Sequence, residues 1–373
     1  METIASKLIK AISKYAENRI SLMEVCGTHT MVIAKSGIRS MLPERITMLS
    51  GPGCPVCVTP QETIDYAIAL SQEKNLIIAT FGDMVRVPGT RNSLEAFSPR
   101  IVYSPLDALK VAQENPDKDV VFIGVGFETT SPTIAATVMA AREKEVGNFY
   151  VLPAFKVIPP ALDFIAGSSE INVHGFLLPG HVSAIIGSKP YEFLSDKYHL
   201  PGCITGFEPI DILQGILVLT RQVVEGNPTI TIEYDRVVKP EGNEKALQLL
   251  NTVFQVCDAR WRSIGLISES GLEFSKEFQH YDIRRKYDIK VPKSVEPKRC
   301  ICGRVLLGLN MPFDCALFGK KCTPLTPVGP CMVSSEGSCA AYYKYGDFTK
   351  KAERGLKQGS KRARKGGKGL KAP

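Results

Sequence analysis

Two patterns of apolar and polar positions alternate along this chain. Short runs that are almost wholly apolar fall at Ile20–Val25, Ile46–Leu49, Leu76–Thr80, Val120–Val125, Tyr150–Pro153 and Val173–Leu178. Between and after them lie stretches of helical periodicity at Gln61–Gln72, Leu106–Gln113, Pro132–Glu145, Ala161–Ala166, Ala184–Ile186 and Ile210–Glu225. Strands alternating with helices of about ten residues predict βαβ units and parallel sheets. Strands apolar at nearly every position predict sheets covered on both faces. Met1–Lys14 mixes apolar and charged residues and reads as an amphipathic helix, not as a signal peptide with an apolar centre. Asn243–Trp261 reads as helical and Ser268–Phe278 as mixed. From Ile289 the chain turns rich in Pro, Lys and Cys and carries too few apolar residues to build a core alone.

One device recurs. An apolar strand ends in glycine and a polar residue, and a helix follows. It appears at Cys26-Gly27-Thr28-His29-Thr30, Gly126-Phe127-Glu128-Thr129-Thr130, Pro179-Gly180-His181-Val182-Ser183 and Gly206-Phe207-Glu208-Pro209. In open α/β folds ligands gather at the carboxyl ends of strands. Cys26, His29, Cys54, Cys57, Glu128, His181 and Glu208 all hold such positions and are expected to face one cleft between two α/β lobes. Glu128 and Glu208 serve equally well as local caps. The stretch Gly51-Pro52-Gly53-Cys54-Pro55-Val56-Cys57 reads as a rigid turn presenting two thiols at CxxC spacing. Such a pair can close a disulfide, bind a soft metal or form half of a zinc site.

The 373 residues hold eleven cysteines, many for a chain with no apolar run long enough to span a membrane. A cytoplasmic location is therefore expected, and there clustered cysteines point to metal or redox chemistry, not structural disulfides. Cys203 and Cys257 stand alone and are expected to be buried small hydrophobes. Six more fall between 300 and 339 with no CxxC knuckle among them. Loosely spaced cysteines on loops suit an iron–sulfur cluster better than zinc. Net charge is +8, but residues 350–373 alone carry ten Lys or Arg against one Glu. That tail is expected to be disordered, and without aromatic residues it gives no support to nucleic-acid binding. The glycine pattern of a dinucleotide site and the Walker pattern are both absent.

Cys26-Gly27-Thr28-His29, the Gly51–Cys57 block, Gly126–Pro132, Pro179–Ser183 and the spacing Cys300-x14-Cys315-x6-Cys322-x16-Cys339 together resemble the signature blocks of the HypD family of [NiFe] hydrogenase maturation proteins. The resemblance runs from about residue 20 to 347. It implies two similar parallel-sheet α/β domains around a cleft plus a smaller iron–sulfur domain, here expected at 1–147, 148–242 and 243–349, with the tail at 350–373. It also implies a scaffold that works with HypC and holds iron while cyanide and carbon monoxide are attached to form an Fe(CN)2CO group. HypE, with HypF upstream, would deliver the cyanide. By the same resemblance Cys26 would be the primary iron ligand with His29 beside it, and Cys54 and Cys57 would be a redox pair close to the iron and count with Cys26 as its metal-site residues. Cys300, Cys315, Cys322 and Cys339 would hold a [4Fe-4S] cluster, and Cys302 or Cys331 could replace one of them. The competing reading is an iron–sulfur-linked thiol/disulfide reductase that uses Cys54 and Cys57.

Overall fold

A computed structural model describes residues 3–291 and 293–346. The chain opens with α1 (Ile4–Tyr15), capped by Thr3, whose hydroxyl accepts the Ser6 N–H at 3.2 Å. There follow β1 (Ile20–Glu24), α2 (Gly27–Lys35), α3 (Ile38–Met41), β2 (Ile46–Ser50), α4 (Pro55–Val58) and α5 (Gln61–Leu70). Next come β3 (Leu76–Thr80), β4 (Arg100–Ile101), α6 (Pro105–Glu114), β5 (Asp119–Gly126), α7 (Ser131–Glu143), β6 (Phe149–Phe155) and α8 (Ile158–Ala166). The alternation continues through β7 (Gly175–Pro179), α9 (Gly180–Ile186), α10 (Phe193–Asp196), β8 (Gly202–Thr205), α11 (Pro209–Glu225) and β9 (Ile230–Ile232). Proline stands in the first turn of α4, α6, α7, α8 and α11, where its missing N–H costs nothing.

The strands form two wholly parallel sheets, as the apolar runs predict. The first has the order β2-β1-β7-β8-β9 and the second β4-β3-β5-β6. The expected division at 147/148 does not follow these sheets, because it would cut the seven-residue ladder of β5 and β6. The chain lays down β1 and β2, leaves to build the whole second sheet, and returns with β7 to complete the first. Buried apolar strands look alike in sequence, and only pairing decides which sheet each joins.

Three cores follow. The largest lies between the sheets and joins Met23 and Leu49 of one to Val121 and Ile123 of the other, with Cys331 and Cys339 packed into it. A second covers the outer face of the second sheet beneath α6 and α7. The third packs α1, α2 and α11 on the outer face of the first sheet through Ile12, Ile33 and Leu213.

The stretch expected to be helical from Asn243 to Trp261 is helical only in its first half. Helix α12 (Glu244–Val253) gives way to a hairpin of β10 (Phe254–Trp261) and β11 (Gly265–Phe274). The burial of β10 is concentrated at its ends, Phe254 and Trp261, with exposed Gln255, Val256, Asp258 and Arg260 between them. Tertiary contact overrides the local pattern: the Val157 N–H at the start of α8 donates to the Ser270 carbonyl at 3.0 Å, tying the hairpin to the second sheet's helix. Trp261 is fully buried, stacks on Phe127 at 6.0 Å and donates its indole N–H to the Ser270 hydroxyl at 2.8 Å. Beyond the hairpin, among the described residues, the regular elements are two helices, α13 (Cys302–Leu306) and α14 (Ser338–Tyr345), and several 3-10 turns. The basic tail at 350–373 lies outside the described residues.

Cys203 is fully buried, as expected, but Cys257 is only half-buried, because it lies mid-strand on β10 with Lys156 close enough to act on it electrostatically. Replacing Trp261 with Phe should cost about 1–3 kcal/mol in urea denaturation followed by circular dichroism, since both packing volume and a buried hydrogen bond are lost.

Candidate functional site

The first two strands of the chain are neighbours, so the corners that follow them are neighbours too. Cys26 is the N-cap of α2; its thiol makes no cap hydrogen bond, but the backbone N–H groups of His29 and Thr28 lie near enough to favour its thiolate. The corner after β2 is laced to it: Gly51 N–H donates to the Glu24 carbonyl at 2.7 Å, and Gly27 N–H to the Gly53 carbonyl at 3.0 Å. A Cβ on Gly53 would stand 2.3 Å from the Cys26 nitrogen, so glycine is required there by space, not by torsion angle. Beneath the corner, Glu24 is fully buried and binds both the Cys26 N–H (3.3 Å) and the Thr30 hydroxyl (2.6 Å). Burial raises its pKa to about 7 against the pull of Thr30 and Arg39. Burial likewise pushes the Cys26 thiol up to about 12, with the Glu336 carboxylate adding to the rise.

The CxxC turn is partly helical. Cys54 caps the single turn α4, and its sulfur accepts the Cys57 N–H at 3.3 Å. The two sulfurs are 2.8 Å apart and both residues are buried, at 3% and 1% exposure. Desolvation holds the Cys57 thiol well above its usual range.

His29, three residues after Cys26 on α2, is fully buried. Its Nε2 lies 2.9 Å from the Gly206 carbonyl and 3.2 Å from the Thr205 hydroxyl. A carbonyl can only accept, so Nε2 carries the proton and Nδ1 is left as a bare lone pair with no partner. Burial lowers the His29 pKa to about 4, which keeps the ring neutral. The His181 ring is exposed and stacks on Phe207 at 3.9 Å, and His29 meets the same Phe207 at 5.0 Å. The two histidines expected to share a cleft therefore share one aromatic ring.

Glu128, at the end of β5, comes from the other sheet. It is buried, and its Oε1 accepts the Ile158 N–H at the start of α8 at 2.8 Å, while its Oε2 has no partner. Burial raises its pKa to about 7. Burial holds the Tyr191 phenol well above its usual range, and Glu128 and Cys26, from the two sheets, both lie near enough to add to the rise. Glu208 takes the structural alternative. It is exposed and caps α11 in a reciprocal box with Asp211.

The late cysteines converge. Cys300, Cys302, Cys315, Cys322 and Cys339 line one cavity whose other walls are apolar, among them Leu317 and Phe318. The Cys300 and Cys302 sulfurs are 3.2 Å apart, and Cys322 accepts the Val328 N–H at 3.3 Å. A Cβ on Gly329 would lie 2.7 Å from the sulfurs of both Cys300 and Cys302. Cys331 is fully buried and lies near enough to Cys302, Cys339 and Cys57 for the four thiols to influence one another's ionisation. A run of sulfur contacts thus joins Cys54 and Cys57 to the cysteine-rich segment. Among the described residues no group of three or more His, Cys, Asp or Glu is arranged to hold a single metal ion. The cavity offers an all-sulfur donor set in a dry apolar wall, the kind of donor set that suits an iron–sulfur cluster and suits hard cations poorly.

Residues 3–346 match the family model HypD, described as a hydrogenase formation hypA family. The chain belongs to the HypD family. It is 44% identical over 349 residues to a Methanocaldococcus jannaschii protein whose name assigns it to hydrogenase expression and formation, covering 92% of this chain and 97% of that one. It is 42% identical over 340 residues to the hydrogenase maturation factor HypD of Escherichia coli, covering 90% and 91% of the two chains. The HypD of Cupriavidus necator is 41% identical over 343 residues, covering 88% and 90%. Among the described residues no helix is long and apolar enough to cross a membrane.

Sequence reasoning missed two residues of this HypD cleft. Glu336, from the cysteine-rich segment, accepts the Thr28 hydroxyl at 2.8 Å and packs on Gly27, where a Cβ would meet its own Cβ at 2.5 Å. Phe207 carries the two histidines. The proximity of 336 to 27 depends on α14 docking against α2 and leaves no local signal. The aromatic after Gly206, at a strand's carboxyl end, was legible.

Two outcomes follow from this geometry. Gly53→Ala should destabilise the protein by about 2 kcal/mol or more in chemical denaturation, since its methyl group would meet backbone that cannot yield. Glu128 is protonated more readily folded than unfolded. The stability it contributes is full below its unfolded value near 4.5 and is lost as pH rises through about 7. Glu128→Gln should flatten the fall in stability across that window by up to roughly 3 kcal/mol, read from denaturation midpoints measured at a series of pH values.

Proposed function

We propose that this chain is a scaffold on which the iron centre of a [NiFe] hydrogenase is assembled. With a HypC-type partner it holds one iron atom as cargo while two cyanides and one carbon monoxide are attached to give an Fe(CN)2CO group. A HypE–HypF pair delivers the cyanide, and the work is done in the cytoplasm. The observation that carries this reading is the backbone lacing of the Cys26 corner to the Cys54–Cys57 corner, with all three thiols buried.

Cyanide and carbon monoxide favour an electron-rich, low-spin iron, and thiolates supply electron density. Cys26 is the primary ligand in this reading. The pull of two backbone N–H groups eases its loss of a proton when iron binds, against the burial that otherwise keeps the thiol neutral. Cys54 and Cys57 stand beside the cargo. The bare Nδ1 of neutral His29 offers a further lone pair at the same end of the sheet. The closed surroundings exclude water.

The donor set around the late cavity supports a [4Fe-4S] cluster held by Cys300, Cys315, Cys322 and Cys339, leaving Cys302 and Cys331 between it and Cys57. Such a group would supply or store single electrons. The run of sulfur contacts through Cys331 gives the Cys54–Cys57 dithiol physical continuity with that cavity.

The reductase reading draws support from the 2.8 Å approach of Cys54 to Cys57. It is weakened by the burial of both thiols, since a protein disulfide has no open path to them.

Infrared spectra of anaerobically purified protein, co-expressed with its maturation partners, should show cyanide and carbon monoxide stretches. The same preparation of Cys26→Ala should lack them. Spectra without these bands in the parent protein, with iron and sulfide present, would move the assignment to the reductase.

A further inference from the structure

Arg262 is a buried cation with no direct ion pair among the described residues. It follows β10, is 2% exposed and lies against the helix turn that carries Cys57, its N–H donating to the Val58 carbonyl at 2.9 Å. Its Nη2 donates to Gln61 Oε1 at 2.8 Å and to the Pro88 carbonyl at 3.1 Å, both neutral acceptors. Its Nη1 is buried and has no partner. The Glu296 carboxylate is engaged by the N–H and hydroxyl of Ser263 and reaches Arg262 only through longer-range attraction. After it, the groups that act on the guanidinium are Cys302, Cys300 and Cys331. Ser263, the next residue, touches the cysteine segment directly: a Cβ on Gly303 would lie 2.1 Å from its carbonyl oxygen.

A guanidinium does not shed its proton, so burial leaves a full charge and an orphaned N–H beside the cysteine cavity. Buried charges are retained where something of opposite sign completes them. Neutral thiols do not. Thiolates carrying a metal group do, and their negative charge grows by one on reduction.

We propose that Arg262 is the fixed counter-charge of the cysteine cavity, stabilising the reduced state of the iron–sulfur group held there and so raising its reduction potential. The proposal rests on the cluster assignment above. Arg262 touches neither cargo nor reacting atoms. It is a positioning and tuning residue that acts through the field it exerts on Cys300, Cys302 and Cys331.

The test uses the full chain, purified without oxygen, as wild type, Arg262→Lys and Arg262→Gln. Iron and sulfide are counted, folding is checked by circular dichroism, and the cluster is titrated with mediators and followed by electron paramagnetic resonance. Arg262→Gln should lower the ratio of reduced to oxidised cluster about tenfold at a fixed potential, a shift of about 59 mV for one electron. Arg262→Lys keeps the charge, loses the fork, and should stay near the wild type. Loss of the cluster from the Gln variant alone, with the Lys variant at the wild-type potential, also supports the proposal. Equal potentials in all three proteins, or loss of the cluster from both variants, would mark Arg262 as a mere clamp between the hairpin and Gln61 and overturn it. A wild-type protein without iron and sulfide would instead sink the cluster assignment, and this proposal with it.

Discussion

The contact on which the rest depends is backbone against backbone, where Gly53 lies on the Cys26 nitrogen and the preceding carbonyl carbon. No side chain fits between them. Because of that approach, two strand-to-helix corners adjacent in the sheet become one surface, and three cysteines that are 28 and 31 residues apart in the chain share it. The lacing bonds from Gly51 and Gly27 fix the corners' relative height. A thiol placed on such a surface has little freedom, so the entropy of arranging ligands is met during folding and not at the moment a metal arrives.

The parallel α/β class was legible because buried strands of both sheets are apolar at nearly every position, and the helices between them carry Pro and polar starts. Cys26, His29, Cys54, Cys57, Glu128 and His181 were legible as a set because they all follow strand ends, a rule of topology that needs no knowledge of which sheet a strand joins. Sheet membership itself was hidden. β6 and β7 have similar composition, yet β6 pairs with β5 while β7 crosses back to β1. The hairpin was hidden for another reason. Its apolar residues sit at the ends of β10, so neither a period of two nor a period of 3.6 was clear.

Burial does opposite things to the acids and bases of the cleft. It raises Glu24, Glu128, Cys26 and Cys57 and lowers His29. Every shift favours the neutral form. Lined this way, the site holds a neutral histidine, thiols at Cys26 and Cys57 that stay protonated, and two carboxyls that are only partly ionised at neutral pH. An incoming cation would then meet few committed anions, and each thiol that binds it must first release a proton. Binding of iron should therefore be coupled to proton loss more tightly than in an exposed site with thiolates already formed.

Arg262 is the exception to that neutrality. It keeps its charge in a buried position with only the more distant Glu296 carboxylate opposite it, next to the turn that carries Cys57. That placement separates two electrostatic regimes along one run of sulfur contacts. At the Cys26 end, negative charge is costly until a metal ion arrives. At the Cys300–Cys302 end, a fixed positive charge already waits for it. An iron–sulfur group held by the late cysteines, as proposed above, would keep an added electron more firmly because of Arg262. The two ends thus differ in charge because of one buried guanidinium and one set of desolvated acids.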